Sequence, residues 1–135
     1  MEESQSFLCI VDDDPDTCQL LAEQIESDLY ETKIFTCPRE GLAFLAQHKP
    51  FGIILDYYMP VMNGSEFCAE AQKLGVEQGC VVMMSSWPPE SGRIPEGIEK
   101  TVRYFLEKPD ALERLPLIVS QLYDERYGGS KEPPS

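Results

Sequence analysis

The sequence predicts an α/β protein, a doubly wound parallel sheet of five strands covered by helices on both faces. Two observations carry this. Short apolar runs at 7–11, 32–36, 52–56, 80–84 and 102–106 alternate with stretches of helical spacing, the pattern of a sheet between two helical layers. Four of the runs also stop at polar residues, Asp12-Asp13, Asp56, Ser85 and Lys108. In a parallel sheet those strand ends share one edge, where open α/β sheets carry their chemistry.

Each element has a local reason. Phe7-Leu8-Cys9-Ile10-Val11 is the first strand, and Asp14 followed by Pro15 reads as an N-cap and first helical residue. Cys18, Leu20, Leu21, Ile25 and Leu29 give helical spacing through about Asp28. Ile34 and Phe35 centre the second strand. Pro38 opens a second helix, with Leu42, Phe44 and Leu45 facing the core and Lys49-Pro50 closing it. Gly52-Ile53-Ile54-Leu55 has the continuous apolar character of a strand buried on both faces. Met59-Pro60 and Asn63-Gly64 then force a loop. A third helix runs from Ser65 to Lys73 and ends at Gly75. Pro88, Pro89 and Pro95, with two glycines, predict an irregular or shortened fourth helix within 87–101. The last helix is expected from Ala111 to about Tyr127, kinked or delayed in its start by Pro116. One domain over 1–127 and a disordered tail over 128–135, GGSKEPPS, complete the division.

Composition narrows the function. The formal net charge of −13, from 11 basic and 24 acidic residues, argues against gripping nucleic-acid phosphates or an anionic membrane surface. No apolar run reaches the roughly 18 residues of a membrane span. The N-terminal MEESQS lacks a signal peptide's basic region. Five scattered cysteines with no CxxC read as reduced thiols of a cytoplasmic protein. A single histidine, His48, excludes a multi-histidine metal site.

Asp12, Asp13 and Asp56, brought to one edge, repel one another unless a cation joins them. Hard oxygen ligands favour magnesium. Asp56 then stays ionised and can attack a phosphoryl group, with Lys108 and the Ser85 hydroxyl holding the phosphoryl oxygens.

Val11-Asp12-Asp13, Asp56-Tyr57-Tyr58-Met59-Pro60-Val61-Met62-Asn63-Gly64, Val82-Met83-Met84-Ser85-Ser86 and Phe105-Leu106-Glu107-Lys108-Pro109 together resemble the receiver domain of the two-component response-regulator family, from about Phe7 to Tyr127. The resemblance implies a flavodoxin-like sheet of order 2-1-3-4-5. It implies a signalling domain that catalyses only its own phosphorylation and dephosphorylation. Asp56 would accept the phosphoryl group from a histidine kinase or phosphotransfer protein. Mg2+ would be held by Asp13, Asp56 and the Tyr58 carbonyl, with Asp12 acting through water. Ser85 and Lys108 would bind the phosphoryl group, Phe105 would be the rotating aromatic ring in preference to Tyr104, and the bond before Pro109 would be cis. Tyr58 and Trp87 fall at the mouth of the site, where two large rings would restrict water. Thr101-Val102 stands where the family usually has Gly-Ala. This departure and the proline-rich segment leave the output face, a possible homodimer interface and the downstream effector open.

Three other readings compete. Asp12-Asp13-Asp14 parses as the DxD of a haloacid-dehalogenase-like phosphatase with Asp12 as nucleophile, although Asp16 stands where that family expects Thr or Val. Asp12, Asp14, Asp16 and Glu23 fit EF-hand ligand positions, although Thr17 replaces the required glycine. The third is a pseudo-receiver that binds partners without phosphorylation.

Overall fold

Apolar runs flanked by breakers form five parallel strands, β1 (Phe7–Val11), β2 (Glu31–Phe35), β3 (Gly52–Asp56), β4 (Val81–Ser85) and β5 (Val102–Glu107), in one sheet of order β2-β1-β3-β4-β5. A computed structural model describes residues 6–85 and 100–128 of the chain, apart from the Pro109 side chain. The helices are α1 (Pro15–Gln24), α2 (Pro38–Gln47), α3 (Gly64–Lys73) and α4 (Lys108–Tyr123), followed by a wide helical turn, Asp124–Gly128. The central strands β1, β3 and β4 are buried along their whole length, whereas β2 and β5 at the edges are partly exposed. This explains why only the central three read as continuous apolar runs.

Alternation along each strand divides the core into two layers. Leu8, Ile10, Ile54, Val82 and Met84 pack with Cys18 and Leu21 of α1 and with Leu115 and Val119 of α4. Val11, Ile53, Leu55, Val81 and Met83 pack with Leu45 of α2 and with Phe67, Cys68 and Ala71 of α3.

Several element boundaries differ from the sequence reading. α1 stops at Gln24, short of Asp28, and Leu20 and Leu29 are exposed. Beyond Ile25 the Leu29 N–H donates to Ser27 Oγ at 3.0 Å, a local bond that competes with another helical turn. α4 begins at Lys108, earlier than expected, with Pro109 in the first turn where its missing N–H costs nothing. The helix also continues through Pro116. An interior proline costs about 3 kcal/mol. Burying Ala111, Leu115, Ile118, Val119 and Leu122 outweighs it, since each large side chain contributes about 1.5–3 kcal/mol. Gly75, at φ +88°, ends α3's C-terminal turn as expected. The expected fourth helix within 87–101 falls largely outside the described residues, as does nearly all of the expected tail.

Candidate functional site

The site is built where β1 and β3 end side by side, with Val11 paired to Leu55. β2 still holds the backbone beyond β1, the Asp12 N–H donating to the Phe35 carbonyl at 3.1 Å. The chain then turns. Asp12 Oδ1 accepts the Asp14 N–H at 3.0 Å, and Asp14 caps α1 by accepting the Asp16 N–H. From inside α1, Cys18 Sγ donates to the Asp12 carbonyl at 3.2 Å. These bonds bury Asp12 completely and leave Asp13 exposed. Asp56, at the end of β3, is 3% exposed.

One carboxylate oxygen from each of Asp12, Asp13 and Asp56 can be chosen so that the three lie within 4.8 Å of one another. Lys108, the first residue of α4, reaches across with Nζ 3.2 Å from Asp12 Oδ2 and 3.4 Å from Asp56 Oδ1. Burial, with the nearby Asp12 charge, pushes the Asp56 carboxyl up to about 6 despite the lysine. Burial pulls the Lys108 ammonium down, but the charges of Asp12 and Asp56 outweigh it and hold the ammonium above its ordinary value. One cation therefore compensates only part of the acidic cluster. Asp12 Oδ2 is buried with no hydrogen-bond donor aligned on it. An all-carboxylate set, with a buried oxygen that has the Lys108 ammonium beside it but no aligned hydrogen bond, fits a hard divalent cation.

The loop after Asp56 is pinned at both ends. The Tyr57 N–H donates to the Met84 carbonyl at 2.8 Å, and the Tyr57 carbonyl accepts the Gly64 N–H at 2.7 Å. Asn63 and Glu66 form a reciprocal capping box that starts α3. Gly64 is required by close approach, because a Cβ there would lie 3.0 Å from Tyr57 Cα and 3.1 Å from Met83 Sδ.

The sequence-selected residues converge on this edge. Ser85 is buried and follows Met84, the β4 partner of Asp56. Phe105 is half-buried on the α3 side of the sheet, with its ring 6.1 Å from that of Tyr57. Tyr104 lies on the other side and donates to Gln121 Oε1 at 3.1 Å. Tyr58 is exposed and meets the Tyr57 ring edge-on at 4.7 Å. Trp87 lies outside the described residues. No peptide bond is cis among the described residues, and the expected cis bond falls at Pro109, whose side chain lies outside them.

Sequence reading missed three contributors. Tyr57 is one, and its spacing of two from Leu55 was the available signal that it shares Leu55's face of the sheet. Cys18, read only as packing, holds the Asp12 carbonyl. Thr101, noted as a departure, is buried and accepts Gln72 Nε2–H at 2.5 Å, tying α3 to the start of β5. The EF-hand reading fails, because Asp14 caps α1 and Asp16 lies in its first turn.

A family model described as the response regulator receiver domain matches residues 8–120. The chain is 27% identical over 108 residues to the response regulator MprA of Mycolicibacterium vanbaalenii, covering 80% of this chain and 46% of MprA. It is 33% identical over 112 residues to the transcriptional regulatory protein GlrR of Escherichia coli, covering 81% of this chain and 24% of GlrR. The chain thus spans less than half the length of these relatives. The receiver domain of the Francisella response regulator 1452 superposes with a TM-score of 0.77 at 21% identity, covering 90% of this chain and 99% of that one. The acidic cluster and its lysine match the phosphoaccepting aspartate and metal site of receiver domains. Motifs, sheet order and family match agree: the chain belongs to the response regulator receiver domain family.

Proposed function

We propose that Asp56 accepts a phosphoryl group from a phosphohistidine on a histidine kinase or phosphotransfer protein, in the cytoplasm and with Mg2+. The observation that carries this reading is the buried Asp56 carboxylate at the sheet edge, bridged to Asp12 by Lys108. A carboxylate oxygen attacks phosphorus, the P–N bond breaks, and the imidazole keeps the electron pair. Asp13, Asp56 and the Tyr58 carbonyl would hold Mg2+, with Asp12 acting through water. The ion would supply positive charge against the phosphoryl oxygens. Lys108 exchanges its contact with Asp56 for one with the phosphoryl group, and the Ser85 hydroxyl donates to a second oxygen. Those contacts draw β4 and β5 toward the site, and Phe105 reports the change at the sheet edge. The Tyr58 ring and Trp87 restrict the water that would hydrolyse the acyl phosphate.

The output is a changed surface offered to a downstream partner, which includes a second copy of the chain. Direct nucleic-acid contact is disfavoured by the charge of −13. Among the described residues no helix is long and apolar enough to cross a membrane.

Acetyl phosphate with Mg2+ should label the protein, with borohydride trapping and peptide mapping placing the group on Asp56. EDTA or Asp56→Asn should abolish the label. Stable labelling of Asp56→Asn, or a trapped Asp12, refutes the assignment. No labelling from any donor with the fold intact would favour the pseudo-receiver.

A further inference from the structure

We infer that Tyr57 is a positioning residue that links the aromatic ring at the mouth of the site to the one at the sheet edge, so that phosphoryl lifetime and the state of Phe105 depend on each other. This rests on Asp56 being the phosphoacceptor.

The link starts from strand register. Leu55 of β3 pairs with Met83 of β4, and Met83 pairs with Phe105 of β5. These three side chains share the α3 side of the sheet. The pairing of Met83 with Phe105 depends on an irregularity in β5. Val81 pairs with Val102, but Val82 pairs with Tyr104, so Arg103 is the extra residue. Without that bulge Tyr104 would face Met83, and Phe105 would turn to the other layer.

Tyr57, two residues beyond Leu55, projects on the same side and is half-buried there. Its ring packs against Phe105 at 6.1 Å and 48° and against Tyr58 at 4.7 Å and 88°. Its backbone cannot drift, being bonded to Met84 on one side and Gly64 on the other. The crowding of Gly64 against Tyr57 Cα and Met83 closes the layer from the α3 side. Tyr57 is therefore a ring on a pinned backbone, in contact with the half-buried Phe105 on one side and the exposed Tyr58 on the other. Tyr58 is 49% exposed, and its edge-on contact with Tyr57 orients its ring. A change at Phe105 reaches Tyr58 through Tyr57.

The test uses the 135-residue chain labelled with acetyl phosphate and Mg2+, with the half-life of the label read by phosphate release. Tyr57→Phe should keep the wild-type half-life. Tyr57→Ala should shorten it about threefold, the low end of what losing its two aromatic contacts would give. Phe105→Ala alone should shorten it in the same direction and have no further effect in the Tyr57→Ala background. Tyr57→Leu, which keeps most of the volume without a ring edge, carries the same expectation should the alanine variant unfold. An unchanged half-life in folded Tyr57→Ala or Tyr57→Leu overturns the inference, as do additive effects of the two substitutions. Labelling absent from wild type overturns the phosphoacceptor reading, and this inference with it. Labelling that succeeds with Tyr57-independent decay overturns this inference alone.

Discussion

Asp56 occupies a position that is unfavourable for a carboxylate until a cation arrives. Its carboxyl, pushed up to about 6 mainly by burial and then by Asp12, titrates near 3.9 in an unfolded chain. The folded state therefore binds this proton more tightly. Ionisation costs the metal-free protein stability as pH rises from about 4, and the cost is complete somewhat above pH 6. A shift of this size is worth about 3 kcal/mol. In EDTA, Asp56→Asn should match wild type near pH 4 in urea unfolding and exceed it by about that amount at pH 7.5. Added Mg2+ should stabilise wild type at pH 7.5 and stabilise the variant much less. A gap between the two proteins that does not change with pH contradicts this account of Asp56. Asp56 as a phosphoacceptor candidate was legible in the sequence, because strand, carboxylate and breaker follow in immediate succession. Its raised proton affinity was not, since that depends first on how deeply the packed fold buries the carboxylate and then on how close Asp12 lies.

At the level of elements, the junction between β3 and α3 decides whether the site keeps its shape. The Asn63–Glu66 capping box starts α3, and Gly64 lets the helix approach Tyr57 and Met83. Gly64→Ala would normally favour a helix by about 1 kcal/mol. Here the added Cβ meets backbone at 3.0 Å, so overpacking wins. The expected outcome is a net loss of about 1–3 kcal/mol in urea unfolding, with slower labelling of Asp56. A stabilised Gly64→Ala would show that the helix start can move at no cost. The sequence marked Asn63-Gly64 as a loop-forming pair, but the tight contact with Met83 came from a neighbouring strand. The opposite error occurred at α4. Local rules started the helix at Ala111 or later and let Pro116 kink or delay it, whereas the apolar face packed on the sheet carries it from Lys108.

The cysteines are a property of the whole molecule, since burial by the complete fold sets their chemistry. Cys9, Cys18, Cys68 and Cys80 are buried, and burial leads the causes that push each thiol up to about 12. Cys37, at the N-cap of α2, is half-buried. Native protein at pH 8 should therefore yield at most one fast thiol with a disulfide reagent, mapped to Cys37, and five after denaturation. Rapid native labelling of Cys9 or Cys80 would mean that the sheet opens far more readily than its packing implies.

By itself the sequence determined the α/β class, the five strands, the edge on which Asp12, Asp13, Asp56, Ser85 and Lys108 gather, and the family resemblance. All of these follow from local signals: apolar runs of strand length, breakers beside them, and polar residues where four of the five runs stop. Tertiary structure alone decided which of Tyr104 and Phe105 faces the α3 layer, because a bulge at Arg103 changes the phase of β5. It alone decided that Tyr57 lies between two rings, that Cys18 holds the Asp12 carbonyl, and that α4 starts as early as Lys108. Each of these outcomes depends on which side chains meet across neighbouring elements. Register and packing settle that choice through contacts between residues far apart in the chain, and no local window contains them.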